Sequence, residues 1–130
     1  MKVIVVVLLF VGLAQSEKIL YSPEFIQKIA DARLECANTE KVDVKQLVYL
    51  DSIDGYPTFE EVKCHSLCMM NKFNILKDDH TLKMEELNPI FKENTLKNTL
   101  VTLEKCQPED KKFDTCEKAY NAHLCVLKNI

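Results

Sequence analysis

A compact all-α bundle of about six helices, held together by disulfides, is what this sequence predicts, and three observations predict it. Six cysteines stand at positions 36, 64, 68, 106, 116 and 125 of a 130-residue chain. An even count in a short chain behind an apolar leader reads as a disulfide framework. Glycine is nearly absent, Gly55 being the only one after Gly12, and no Asn-Gly or Gly-Gly pair separates alternating apolar runs, so the hairpin signals of a β-protein are missing. Helix-start signals, by contrast, recur along the chain.

The first segment reads as a secretory signal peptide. Lys2 supplies the positive end, Val3 to Leu13 is an uninterrupted apolar run, and Ala14-Gln15-Ser16 places small residues at −3 and −1 of a cleavage site. Those 11 apolar residues fall short of the roughly 20 that a spanning helix needs, and no later run offers a membrane span. The expected organisation is therefore a signal peptide over 1–16 and one domain over 17–130, secreted into an oxidising extracellular setting. Without Lys2 the chain carries 16 Lys and Arg against 20 Asp and Glu, a net charge of −4. No basic block is present to track phosphates, so nucleic acid is not an expected partner.

The helices follow in order. Ser22 before Pro23 opens the first, Pro23 to Ala37, with a capping residue and an N1 proline. Asp43-x-x-Gln46 resembles a capping box and opens the second, Val44 to Leu50. After the Asp51 to Pro57 connector, the capping box Thr58-x-x-Glu61 opens the third, Phe59 to Phe73. The polar run Lys77 to His80 precedes a fourth, Lys83 to Phe91, and a fifth covers Thr95 to Gln107. Pro108 to Lys112 is the last connector, and Asp114-x-x-Glu117 opens the sixth, Thr115 to Lys128.

Helical periodicity assigns inward faces. Phe25, Ile29 and Ala32 form one stripe and Leu96, Leu100 and Leu103 another. Met69, Phe73 and Leu76 extend the third helix inward, Leu82, Met84 and Leu87 come from the fourth region, and Tyr120, His123, Leu124 and Leu127 from the last. A domain of this size buries only about two thirds of its unfolded surface. Disulfides, each contributing roughly 2–5 kcal/mol, therefore matter to its stability.

Helix geometry restricts the pairing of the cysteines. Cys116 and Cys125, nine residues apart, fall on opposite sides of one helix and do not face each other. Cys64 and Cys68 share a face with nearly parallel Cβ vectors, an arrangement suited to reaching two other helices. Excluding both pairs leaves ten of the fifteen connectivities open. Thiols committed to disulfides cannot ligate zinc, so His65 between Cys64 and Cys68 is expected at the surface and no metal site is expected. Catalysis is not expected either. The chain lacks Gly-x-Ser-x-Gly, a spare thiol, and the His-Asp pair with a glycine-rich calcium loop of a secreted phospholipase. The cluster Asp78-Asp79-His80 sits in a polar connector, where solvation accounts for it.

The cysteine ladder C-x27-C-x3-C-x37-C-x9-C-x8-C resembles that of the six-cysteine insect odorant-binding proteins, the pheromone and general odorant-binding family. The resemblance covers nearly the whole chain after the leader, and the x3 and x8 gaps are its most specific parts. It implies three interlocked disulfides, Cys36–Cys68, Cys64–Cys116 and Cys106–Cys125. It also implies that the helices enclose an apolar cavity, so the inward residues named above become candidates for its lining. His123, in Cys116-Glu-Lys-Ala-Tyr-Asn-Ala-His-Leu-Cys125, resembles a last-helix histidine that faces the cavity. Ser66 and Asn71 match positions that bind an alcohol in a relative, and Tyr120 offers a hydroxyl to a ligand head group.

The function so implied is that of a secreted, cofactor-free carrier that takes an odorant, pheromone or fatty-acid-like molecule through aqueous fluid by exchange. A salivary or reproductive-secretion scavenger is the first alternative. The second is a receptor-interacting protein with a vestigial cavity, an odorant receptor being the candidate partner; monomer and homodimer both stay open. Five residues, Val126 to Ile130, follow Cys125, fewer than relatives need to release ligand by inserting a C-terminal helix. The ordinary histidine pKa near 6.5 makes weaker binding expected between about pH 7 and pH 5 through His123.

Overall fold

The computed structural model describes residues 21–91 and 93–129, the side chains of 93–96 excepted. The expected signal peptide over 1–16 and the side chain of Leu96 lie outside the described residues. Among the described residues there are five α-helices and two 3-10 helices: α1 Pro23–Thr39, a 3-10 helix Val44–Tyr49, α2 Phe59–Val62, α3 His65–Lys72, a 3-10 helix Met84–Leu87, α4 Glu93–Cys106 and α5 Cys116–Asn129. Among the described residues the only β-pairings are two isolated bridges, Tyr21 with Phe91 and Leu76 with Leu82. No described helix is long and apolar enough to cross a membrane.

Pro23 starts α1, but Ser22 does not cap it with its side chain. Its hydroxyl donates to the Phe91 carbonyl at 2.9 Å and its N–H to the Ile90 carbonyl at 2.8 Å. Those bonds tie the start of α1 to the segment ahead of α4. Asp43 does cap its helix, accepting from the Lys45 N–H at 3.0 Å, while Gln46 turns away to donate to Glu61 at 2.9 Å.

The second and fourth predicted helices are 3-10 turns. In a 3-10 helix residues i and i+3 eclipse, which aligns Leu47 with Leu50 and lets Leu50 reach 2 % exposure while Val44 and Val48 stay outside. Leu87 and Ile90 repeat the spacing, both buried, and Pro89, lacking an N–H, cannot extend the turn as an α-helix.

The third predicted helix is broken. The capping box forms as its sequence indicates, with Thr58 Oγ1 accepting from the Glu61 N–H and Glu61 accepting from the Thr58 N–H at 2.9 Å. The helix then stops at Val62, because Lys63 takes a positive φ of 40°, and α3 restarts with Cys64 as its N-cap. At the head of α5, Thr115 rather than Asp114 acts as the cap, accepting from the Lys118 N–H at 3.2 Å. The Asp114 and Asp110 carboxylates both hold the Lys118 ammonium at 2.8 Å.

Three disulfides staple these elements: Cys36–Cys68, Cys64–Cys116 and Cys106–Cys125, with Cα separations of 5.8, 4.7 and 5.6 Å. They join α1 to α3, the head of α3 to the head of α5, and the end of α4 to α5. α5 packs on both α3 and α4, and α1 on α3, so the core lies between α1, α3, α4 and α5. The connector residue Phe113, 1 % exposed, plugs one side of it.

Candidate functional site

A partly enclosed cavity of about 190 Å³ lies in that core. α1 turns Ile29 and Arg33 toward it, an i, i+4 pair, α3 turns His65, Ser66, Met69 and Met70, and Phe73 follows at the end of α3. Thr99 and Leu103 come from α4, and Ala119, Ala122, His123 and Val126 from α5. The spacings are those of helix faces. Tyr21, Leu50, Ile90, Phe91 and Phe113 complete the wall from outside the α-helices. The small side chains of Ala119 and Ala122 leave much of the volume, since helices pinned by disulfides cannot collapse onto them.

Polar groups converge on this apolar space. Arg33 and Asp51 form a bidentate ion pair, Nη1 to Oδ2 at 2.8 Å and Nη2 to Oδ1 at 2.7 Å, with side chains only 11 and 13 % exposed. Burial alone would lower the Arg33 pKa, but the Asp51 hydrogen bonds and charge outweigh it and raise the value above its ordinary range. The Tyr21 phenol, hydrogen-bonded to Arg33, is pushed up to about 12, chiefly by burial and then by the Asp51 charge.

His123 is held on two sides. Its Nδ1 accepts from the Tyr56 hydroxyl at 2.7 Å, with Ser66 Oγ at 3.4 Å from the same nitrogen, and the Leu50 carbonyl accepts a hydrogen bond from the ring. Burial, followed by the Arg33 charge, lowers its pKa to about 4. The histidine is therefore neutral across pH 5 to 7, and the expected titration in that range is not supported. Tyr56 is raised above the ordinary tyrosine value, mainly by burial, so it stays a donor.

His65 corrects another expectation. It is 2 % exposed, not a surface residue, and its Nε2–H donates to the Arg33 carbonyl at 3.1 Å. Burial is also the first cause that lowers its pKa. A clue was present in the sequence, because His65 stands four residues before Met69 and therefore shares its inward face.

The comparisons with known proteins fit this architecture. Residues 20–129 match the model of the PBP/GOBP family. The chain belongs to that family. It is 24 % identical over 106 residues to general odorant-binding protein 69a of Drosophila melanogaster, a match spanning 82 % of this chain and 71 % of that protein.

Within this PBP/GOBP chain, the sequence-derived candidates divide into two groups. Ile29, Ser66, Met69, Phe73, Leu103 and His123 stand at the cavity wall. The others pack behind it or elsewhere. Phe25 lies 6.2 Å from the Phe73 ring, and with Met84, Leu87 and Leu100 it belongs to the cluster around Ile29 and Ile90. Leu76 and Leu82 pack against Phe113 and Ala119, and Ala32 is buried off the wall. Leu124 and Tyr120 sit in the cluster of Val42, Leu50 and Val62. There the Tyr120 hydroxyl donates to the Pro57 carbonyl at 2.6 Å, not toward the cavity. Leu127 packs with Cys106 and Val126.

Asn71 is exposed on a different feature, an open groove of about 430 Å³ beside the Cys64–Cys116 disulfide, lined also by Glu40, Leu67 and Lys72. This groove is rimmed by the charged Glu40 and Lys72 and is open to water. The inner cavity matches better the apolar, few-polar-group character of small-molecule sites. Sequence reasoning missed Arg33, Tyr21 and Thr99. Arg33 was findable, as the i+4 partner of Ile29, whereas Tyr21 reaches the wall only through its bridge with Phe91.

Proposed function

We propose that this protein is a secreted carrier that takes one small hydrophobic molecule into the cavity between α1, α3, α4 and α5 and moves it through an aqueous fluid. The observation that carries the reading is the apolar cavity of about 190 Å³ with its polar groups gathered on Arg33, Ser66 and His123. An apolar cavity of roughly 150 Å³ already takes up benzene, so this one suits a ligand of about that size or somewhat larger. Burying ~250 Å² of apolar ligand surface contributes about 6 kcal/mol, partly offset by lost translational freedom. Micromolar or weaker binding and ready exchange follow. The family supports the carrier role, the likeness to a Drosophila general odorant-binding protein supports an odorant as cargo, and the apolar leader with the disulfides supports secretion.

The test is displacement of a solvatochromic naphthylamine probe by medium-chain alcohols, esters and acids. The wild-type protein should brighten the probe and lose it to the competitors. Ala122→Phe, which fills the cavity from the α5 side, should abolish uptake while the helical circular dichroism persists. Undiminished uptake by a folded Ala122→Phe protein would place the ligand elsewhere.

A further inference from the structure

We propose that the Arg33–Asp51 pair makes the cavity select a neutral oxygenated ligand, such as an alcohol, over a carboxylate of the same chain length, with Asp51 as the specificity-determining residue. The inference rests on the carrier reading and names the ligand class of the same cavity. An unpaired guanidinium in the wall of an apolar cavity would grip a carboxylate through two parallel hydrogen bonds. Here Arg33 is in that wall, but its fork is already filled by a carboxylate of the chain itself, at 2.7 and 2.8 Å. An entering anion would meet a pair with no net charge and the Asp51 carboxylate close by, and would shed its water without an opposite charge in exchange.

The remaining groups around the cavity offer no cation in its place. His65 spends its N–H on the Arg33 carbonyl, and His123, bonded to Tyr56, is neutral at pH 7. They do offer hydrogen bonds to a neutral group. The Ser66 hydroxyl reaches the cavity, where it stands 3.4 Å from His123 Nδ1 and also interacts with the Tyr56 hydroxyl. A hydroxyl both donates and accepts, so an alcohol can join Ser66 in that network. A carboxylate, which only accepts, cannot satisfy both sides of that network.

Competition of hexan-1-ol and hexanoate for the naphthylamine probe tests this at about pH 7.5, where the acid is ionised. The wild-type protein should prefer the alcohol by at least about ten-fold. Asp51→Asn frees the Arg33 fork while keeping the side-chain shape. It should raise hexanoate affinity by about ten-fold or more, narrowing or inverting the ratio, and Asp51→Glu should keep the alcohol preference. Equal wild-type affinities would overturn the inference, as would a probe-binding Asp51→Asn protein with an unchanged ratio. Should Asp51→Asn not fold, the wild-type ratio decides. Failure of the wild-type protein to bind probe or alcohol would defeat the carrier reading and this inference with it, whereas uptake of both ligands alike would defeat the inference alone.

Discussion

The Tyr56 hydroxyl lies 2.7 Å from Nδ1 of His123, with the two rings edge to face at 87° and 5.3 Å between centroids. The Leu50 carbonyl can only accept, so it takes the ring N–H, which leaves Nδ1 to accept from the Tyr56 hydroxyl. One neutral tautomer satisfies both contacts. Because Leu50 follows the 3-10 helix Val44–Tyr49 and Tyr56 belongs to the next connector, the histidine also tethers this segment to α5.

Protonating His123 would turn the Tyr56 hydroxyl from donor to acceptor and place a charge in the buried core, and the cost of that charge sets the pH dependence. Its pKa, about 4 in the folded protein, lies below the ordinary 6.5 of an unfolded chain. Between those values the unfolded state binds the extra proton, so stability is complete above about pH 6.5 and is lost as pH falls through the folded value near 4. The loss from this group is about 3 kcal/mol at most, and His65, shifted the same way by burial, adds to it. Ligand affinity should therefore stay flat from about pH 7 to 5.5, while the melting temperature declines from about pH 6.5 down to about pH 4. His123→Gln should shallow that decline, and an NMR titration of the ring with a midpoint near 6.5 would refute the buried neutral state.

Overlap of the disulfide loops ranks the three bonds. The Cys64–Cys116 loop, 52 residues in sequence separation, overlaps both the 32-residue Cys36–Cys68 loop and the 19-residue Cys106–Cys125 loop. Without it, nothing covalent but the chain itself joins α1 and α3 to α4 and α5. Loop-entropy reasoning assigns about 4 kcal/mol to the 52-residue closure and about 3 kcal/mol to the 19-residue one. Urea denaturation of the double alanine variants should show the Cys64/Cys116 pair costing more by about 1 kcal/mol. A greater loss for Cys106/Cys125 would mean that native packing of α4 on α5, not chain entropy, dominates.

The cysteine spacing and the helix-start signals carried the architecture, although tertiary contacts drew the Ser22 hydroxyl to Phe91 and Gln46 to Glu61 instead of leaving them at their caps. The Thr58-x-x-Glu61 box forms as written. The stripes carried less. Phe25, Ile29 and Ala32 all turn inward, yet only Ile29 meets the cavity, since a helix face wide enough to be buried touches neighbouring helices along most of its width. His65 was expected at the surface and Arg33 was not singled out, because imidazole and charge are ordinarily solvated. A partner supplied from another element, Asp51 for one and the Arg33 carbonyl for the other, is what allows them inside, and helical periodicity does not encode it.

The broken third helix leads to the last prediction. Cys64 and Cys68 must reach α5 and α1 respectively, and a continuous helix would aim both along one face. The backbone turns at Lys63 instead, with φ 40° and ψ −109°, a region that favours glycine and costs other residues about 1–3 kcal/mol. Lys63 is exposed, and its backbone N–H donates to the Phe59 carbonyl, a bond that glycine keeps, so the substitution removes little packing. Lys63→Gly relieves the backbone strain but adds unfolded-state entropy of roughly 0.5–1 kcal/mol. The net expectation is a stabilisation of up to about 2 kcal/mol, read as a higher urea midpoint at constant slope. Were Phe59 to Phe73 one uninterrupted helix, the same change would destabilise by about 1 kcal/mol. The sign of the shift thus discriminates between the two geometries, and a clear loss of stability would rule out the break.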